Sequence, residues 1–299
     1  MSGHRRKEGT TYGNARMYKW LIFALKRINV KVFHIFMNIF VIPGSLIFSK
    51  GAHLTRQYYY YKRGYSRWKA LVSTYRNHCI FGETVVDKFA MYAGKKFKIN
   101  FNGLELYKQK SEEEKPLLLL NAHIGCSEIL GYSLYLDKPC NVLVYGGEKQ
   151  SLMAYRASSF GTMNINMIPV GTEDSKSQEI IDALERGENI SAFADRFMNR
   201  NKVILSTIHS CGVMLARGPF SLAVNREIDV IMVSAMKEKD GSYSAFLTPL
   251  LYDKSLSHKE QREQLANAYT TEINRLLDMY PLQWFNYSDI WVNLKKRGV

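Results

Sequence analysis

From about residue 97 onward the chain alternates between short uninterrupted apolar runs and amphipathic stretches of about ten residues. The apolar runs at 97–101, 117–121, 141–145, 166–170, 189–194, 228–235 and 244–248 predict strands. The intervening stretches at 127–136, 150–160, 177–185 and 212–225 predict helices, with Gly187 placed to cap the third. Strands alternating with helices imply an α/β fold: a mostly parallel or mixed central sheet flanked by helices. The runs at 228–235 and 244–248 are joined by Lys239-Asp-Gly-Ser242, which predicts a hairpin at one sheet edge. Further on, Ser257 and Glu260 form a capping box. Leu265, Tyr269, Ile273, Leu276 and Tyr280 then recur at helical spacing until Pro281. Upstream, 66–78 and 83–92 read as helices. No internal repeat or low-complexity linker interrupts the pattern.

The longest apolar run, 32–48, breaks this rhythm. It is uncharged but contains His34, Asn38 and a Pro43-Gly44 pair, and at 17 residues it sits at the lower limit for crossing a bilayer. Charge changes how it reads. The protein carries a net charge of +14, and residues 1–82 hold 15 Lys or Arg against a single acid, Glu8. The remaining residues carry 26 basic and 26 acidic side chains, so the whole excess lies in the N-terminal region. A basic, apolar segment fits an interfacial or partly inserted anchor on a surface of anionic lipids, where each basic residue contributes about 1 kcal/mol. A buried helix pair with a basic outer face is the plainer alternative. Tyr58-Tyr-Tyr-Tyr61 beside Arg56, Lys62 and Arg63 could stack on bases, but no nucleic-acid motif accompanies it, and no nucleic-acid partner is expected. The division implied is a membrane-associating helical region at 1–60 and a catalytic-type domain at 61–299. At 299 residues, 46% hydrophobic and 23% charged, the chain can bury a sizeable core. Its four cysteines show neither CxxC pairing nor metal-ligand spacing; no metal and no disulfide framework is expected, and a reducing compartment fits best.

Candidate chemistry lies at the predicted carboxyl ends of strands, where open α/β sheets build their sites. His123-Ile-Gly-Cys-Ser-Glu128 follows the run 117–120. An imidazole there can take a proton near neutral pH, and a carboxylate can fix its tautomer. On one continuous helix, positions five apart would project about 140° from each other, so His123 and Glu128 meet only if the chain bends, which Gly125 permits. A packed or surface histidine is the competing reading. Asp195-Arg196 ends the run 190–194 and emerges on the same edge. An arginine there can hold a phosphate or an oxyanion, although a salt-bridged strand cap is the simpler account. Gly218-Pro219 after Arg217 allows close backbone approach, yet by itself marks only a turn or helix start. Gly146-Gly-Glu148 is too short for a phosphate loop; GxGxxG, GxxxxGK[ST] and GxSxG are all absent, which disfavours nucleotide-dependent and serine-hydrolase chemistry. A base without a protein nucleophile suggests that the substrate supplies one.

Taken together these residues resemble the lysophospholipid acyltransferase superfamily, and within it the bacterial lipid A biosynthesis (late, secondary) acyltransferases. Asn121-Ala-His-Ile-Gly-Cys-Ser-Glu128 is similar to that branch's AHIGNWE signature, Phe193-Ala-Asp-Arg-Phe197 to its ADRF block and Gly218-Pro-Phe220 to its GPF block. Gln283-Trp-Phe-Asn-Tyr287 with Trp291 resembles its C-terminal aromatic block, and the basic apolar N-terminus its membrane anchor. Two departures stand out: Cys126-Ser127 replaces Asn-Trp, and 205–216 lacks the FLG…A.FP pattern expected before GPF. The resemblance implies transfer of a fatty acyl group to a hydroxyl or amine of a lipid acceptor such as a lipid A precursor. The donor would be a thioester, acyl carrier protein or acyl-CoA, with no other cofactor. It implies His123 as general base, oriented by Glu128. Arg196 or backbone N–H groups near Gly125 would stabilise the oxyanion, Asp195 would position Arg196 or the acceptor, and Gly218 and Pro219 would contribute to substrate binding. The expected location is the cytoplasmic face of the bacterial inner membrane. The same chemistry on an aminolipid or polyene, and a non-catalytic lipid-binding protein, are the alternatives.

Overall fold

The computed structural model describes residues 15–131, 133–134, 138–145, 164–171 and 177–292. Seven strands build the main sheet: β1 (Ile99–Asn102), β2 (Leu117–Asn121), β3 (Cys140–Tyr145), β4 (Ile165–Val170), β5 (Asn189–Phe193), β8 (Asp229–Lys237) and β9 (Tyr243–Leu250). Two more, β6 (Val203–Ile208) and β7 (Cys211–Ala216), pair as a separate antiparallel hairpin. The order across the main sheet is β1-β9-β8-β2-β5-β3-β4, and only the β8–β9 pair is antiparallel. The α/β architecture expected from the alternating pattern is therefore the one observed.

β2 is buried on both sides, as a central parallel strand must be. Leu118 and Leu120 face one core with Ile190, Val230, Met232, Phe220 and the helix His258–Met279, which contributes Leu265, Tyr269, Ile273 and Leu276. Leu117 and Leu119 face a second core with Ile231, Val233, Tyr107 and Ile129. Both local end signals act as read: the Ser257–Glu260 capping box is formed, and Gly187, at φ +75°, closes the helix Ser177–Glu185 by donating to Leu184 O at 3.0 Å.

Four expectations change. The β8–β9 hairpin does not lie at the edge, because β1 adds in parallel outside β9. The helices expected at 66–78 and 83–92 are one helix, Arg67–Tyr92, running through Gly82. A Cβ at Gly82 would stand 3.3 Å from Ile42 Cδ1, so the missing side chain lets the N-terminal helix sit close. The expected helix 212–225 begins only at Arg217, since Cys211–Ala216 pairs with β6 around a turn in which His209 and Ser210 both have positive φ. The helix expected at 127–136 is observed as Glu128–Gly131, part of the remainder lying outside the described residues. The predicted helix 150–160 and Gly146-Gly-Glu148 also lie outside them.

The N-terminal region packs on the long helix Arg67–Tyr92. Ala15–Arg27 places Leu25 against Val86, Phe89 and Ala90. The next helix, Val30–Phe48, contains a π-helical turn at Met37–Val41 and is long and apolar enough to cross a membrane. His34 and Asn38 of this helix, however, face the domain. His34 Nε2 bonds Asp87 Oδ1 at 2.8 Å, and Asn38 Nδ2 donates to Glu83 Oε1 at 2.8 Å. Asp87 is fully buried, and its other oxygen takes Lys237 Nζ and the Tyr243 hydroxyl, the latter at 2.5 Å. The opposite face of the helix exposes Ile35, Phe36, Ile39, Phe40, Ile47 and Phe48, the last 88% exposed. Tyr58 and Tyr59 belong to the main core rather than to a stacking surface, and Tyr59 donates to Pro281 O at 3.0 Å.

Burial opposes the charge of Asp87, but the His34 hydrogen bond and the Lys237 ammonium outweigh it and hold the carboxyl below its ordinary range. A depressed folded-state value stabilises the protein above the unfolded carboxyl value of about 3.9 and ceases to do so as pH falls through the folded value. Asp87→Ala removes the nearest partner of the Lys237 ammonium, leaving it Glu83 Oε2 at 3.9 Å, and is expected to cost about 3 kcal/mol at neutral pH. Chemical unfolding of both proteins at pH 7 and again below pH 4 checks this: the difference should be large at the first and shrink at the second.

Candidate active site

β2 and β5 are parallel neighbours with Asn121 opposite Phe193. Two residues further on, the chains deliver His123 and Asp195 side by side at the carboxyl edge of the sheet. Asp195 is fully buried. Its Oδ1 lies 2.7 Å from His123 Nδ1, and its Oδ2 accepts the His123 backbone N–H at 2.9 Å. A carboxylate only accepts, so Nδ1 carries the proton and Nε2 is the basic face of the ring. Burial opposes ionisation of Asp195, but the adjacent imidazole and the Arg196 guanidinium prevail and hold its carboxyl below the ordinary carboxylate range. The His123 side chain is 27% exposed, with the Phe193 ring 4.6 Å away between centroids. An open imidazole on a closed carboxylate is an arrangement that can accept a proton from a bound substrate.

The carboxylate seated on His123 Nδ1, where Glu128 was expected, is that of Asp195. Glu128 lies in the first turn of the short helix and pairs with Lys88 Nζ at 3.3 Å, with the Tyr92 hydroxyl donating to it at 3.4 Å. The reason is the path of the turn. Gly125, at φ +59°, donates its N–H to Gln283 O at 2.8 Å, and Cys126 donates to Ala235 O at 2.7 Å. These bonds pin the turn against β8 and send Glu128 towards the long helix Arg67–Tyr92. They also engage the N–H groups of Gly125 and Cys126, so neither of these two faces the open side of the turn. Burial first, then the Glu128 charge, pushes the Cys126 thiol up to about 12.

Arg196 donates from Nε to Asn286 Oδ1 at 3.2 Å and from Nη2 to Phe285 O at 2.9 Å, while its side chain remains exposed. Gly218 and Pro219 open the helix Arg217–Asn225. Proline costs nothing there, since the first N–H groups of a helix have no intrahelical partner. Ala216 N–H donates to Ala194 O at 2.9 Å, which ties this helix start to the residue before Asp195. His123, Asp195-Arg196 and Gly218-Pro219 therefore converge on one edge.

The residues missed as site components belong to the segment 281–287. Its aromatic pattern was visible, but not its task. Phe285 N–H donates to His123 O at 2.6 Å. Trp284 Nε1 donates to Asp195 Oδ2 at 3.3 Å, and Asn286 Nδ2 reaches the Asp195 carbonyl at 2.5 Å and Oδ2 at 3.2 Å. The segment is itself held by the buried Asn77, whose Nδ2 donates to Leu282 O and Trp284 O at 2.9 Å each. Among the described residues no group of three or more His, Cys, Asp or Glu is arranged to hold a metal ion.

Residues 79–291 match the model of a family described as bacterial lipid A biosynthesis acyltransferase. No curated protein sequence matches the chain significantly. Among solved structures the chain aligns with the crystal structure of the 1-acyl-sn-glycerophosphate (LPA) acyltransferase PlsC from Thermotoga maritima. The identity is 14%, the alignment covers 86% of this chain and 94% of that one, and the TM-score is 0.38.

A Cβ at Gly125 would lie 2.0 Å from the Ala235 carbonyl oxygen. Gly125→Ala thus combines a left-handed backbone with a clash against a paired strand and is expected to destabilise the protein by at least about 2 kcal/mol. Thermal unfolding of the variant beside the parent protein measures it, and an unchanged midpoint would contradict the close approach.

Proposed function

The chain belongs to the bacterial lipid A biosynthesis acyltransferase family, and from that membership we propose that His123 and Asp195 drive acyl transfer from a thioester to a lipid acceptor. The enzyme is an acyltransferase of lipid biosynthesis. In the finer reading the donor is acyl carrier protein, with acyl-CoA as the substitute, and the acceptor is a hydroxyl or amine of a lipid A precursor. His123 Nε2 removes the acceptor proton while the acceptor oxygen or nitrogen attacks the thioester carbonyl. Asp195 holds the ring in the reactive tautomer and stabilises the imidazolium. Arg196, whose Nη1 group has no protein partner among the described residues, stabilises the tetrahedral oxyanion. The intermediate collapses with loss of the thiolate, which recovers the proton from His123. Glu128, paired with Lys88, takes the role of a polar element that binds the acceptor, and the Gly218-Pro219 helix start lines the same edge. The observation that carries this reading is the 2.7 Å contact between an open imidazole and a buried carboxylate.

His123→Ala is expected to lower acyl transfer about 10²–10⁴-fold, and Asp195→Asn, which removes the charge and favours the wrong tautomer, by a comparable factor. Glu128→Gln is expected to act mainly on KM for the acceptor. Labelled acyl-acyl carrier protein with a lipid A precursor supplies the assay. Full turnover by the His123 variant would sink the reading. A Glu128 variant that moved the pH profile as Asp195→Asn does would return the orienting role to Glu128.

The proposal extends to the membrane. The helix Val30–Phe48 would lie in the interfacial plane of the cytoplasmic leaflet rather than cross it. Its polar stripe, His34 and Asn38, is committed to Asp87 and Glu83 of the domain, while its apolar face is open. Basic residues at both ends then sit on one side, facing anionic lipids. Lys31→Cys and Lys50→Cys variants test this in sealed vesicles with a membrane-impermeant thiol reagent, read against the parent protein. Both should label from the same side. Labelling from opposite sides would establish a spanning helix.

A further inference from the structure

The Asp195 carboxylate is held from behind as well as in front. Its Oδ1 faces the His123 ring, while its Oδ2 receives three donors: the His123 backbone N–H at 2.9 Å, the Trp284 indole N–H at 3.3 Å and the Asn286 amide at 3.2 Å. Two of the three come from a segment without regular secondary structure, some ninety residues further along the chain. That segment is tied down more firmly than packing alone requires. The Gln283 side chain mimics a paired strand, accepting from Lys237 N at 2.9 Å and donating to Lys237 O at 2.7 Å. Asn77 holds the carbonyls on either side of Gln283, and the Tyr287 hydroxyl donates to Asn77 Oδ1 at 3.0 Å. The Trp284 ring is fixed edge-on by Tyr58 at 5.1 Å and by Trp291 at 5.9 Å, which leaves its N–H directed at Asp195. Asn286 joins the charged groups of the site: its amide serves Asp195 while its oxygen accepts from Arg196 Nε.

We propose that Trp284 and Asn286 are positioning residues of the transfer reaction, setting the orientation and ionisation of Asp195 and, through it, the basicity of His123. The proposal rests on the assignment of His123 and Asp195 as the proton-accepting pair. Hydrogen bonds to a carboxylate favour its charged form and spread its charge. With both donors present, Asp195 stays ionised and Oδ1 keeps its aim at Nδ1. With one removed, the carboxylate protonates more readily and its attraction for the imidazolium concentrates on the ring, so His123 holds its proton to higher pH. Both effects move the acidic limb of kcat/KM in the same direction, upward.

Trp284→Phe keeps the ring and removes only the N–H. Asn286→Asp keeps the shape and replaces a donor by a second carboxylate. The experiment measures kcat, KM and the pH profile of kcat/KM for both in the full-length protein, with His123→Ala and Asp195→Asn run alongside. Trp284→Phe is expected to lose about tenfold in kcat, with KM little changed and the acidic limb displaced upward by about half a pH unit. Asn286→Asp is expected to displace the limb further. Folded variants with an unmoved limb would overturn the proposal, as would activity losses that simply track a lost thermal transition. Retained activity in His123→Ala would instead overturn the assignment of the pair, a result the Trp284 and Asn286 profiles cannot mimic.

Discussion

The site depends on a single buried charge. The Asp195 carboxylate lies at the end of β5 with no exposure to water, where an ionised group is stable only if its lone pairs are met by donors. Each hydrogen bond to a charged partner contributes about 1.5–3 kcal/mol, and Asp195 collects four through its two oxygens. The donors are the price of keeping that carboxylate ionised against His123. They explain why the segment 281–287 must close over the edge of the sheet, why Asn77 in the helix Arg67–Tyr92 is buried with its amide on two carbonyls of that segment, and why Tyr269 is buried with its hydroxyl on Asn121 O, two residues before His123.

The parallel sheet supplies the rest of the constraint. In a parallel pair both carboxyl ends reach the same edge, so the β2–β5 register fixes which residues meet beyond the strands. Asn121 opposite Phe193 brings residue 123 beside residue 195. Gly125 completes the turn by letting the backbone touch Ala235 on β8, which no residue with a side chain could do at that distance. That contact pins the histidine loop between β5 on one side and β8 on the other, with the Gly125 and Cys126 N–H groups both engaged by protein carbonyls. Beside this loop the exposed Arg196 guanidinium is held by Asn286 Oδ1 and Phe285 O.

The parts of this arrangement legible in the sequence were those written locally. β2 announces itself as four consecutive leucines, the last helix by its capping box, and the end of Ser177–Glu185 by Gly187. The partner of His123 was not local. A carboxylate five residues away competes in the sequence with one 72 residues away, and only the strand order decides between them; once β2 and β5 are neighbours, counting two residues past Asn121 and Phe193 is enough. The β6–β7 hairpin was hidden for another reason. Its turn is made by His209 and Ser210 at φ +47° and +60°, where glycine or asparagine is the usual signal. His209 is held instead by tertiary contacts: its N–H donates to Asn274 Oδ1 at 3.0 Å, and Arg63 lies against its ring. The Gln283–Tyr287 block was visible as a pattern, but its function resides in contacts with Gly125, His123 and Asp195, none of which has a sequence periodicity to betray it.

The apolar N-terminal helix and the His123 loop are linked through Lys237. Its ammonium, with only 8% of the side chain exposed, completes the buried cluster in which Asp87 holds His34 of the apolar N-terminal helix. Its backbone N–H and carbonyl are both taken by the Gln283 side chain, and the Gln283 carbonyl in turn accepts from Gly125. A solvated lysine at the end of β8 would leave this strand terminus free to fray, as sheet ends do where few buried contacts hold them. The buried ion pair prevents that, at the cost of desolvating two charges, and the rigidity it gives is passed to the loop that carries His123 through two hydrogen-bonded residues. The same apolar helix whose outer face is exposed therefore uses its inner, polar face to brace the strand against which the His123 turn is built.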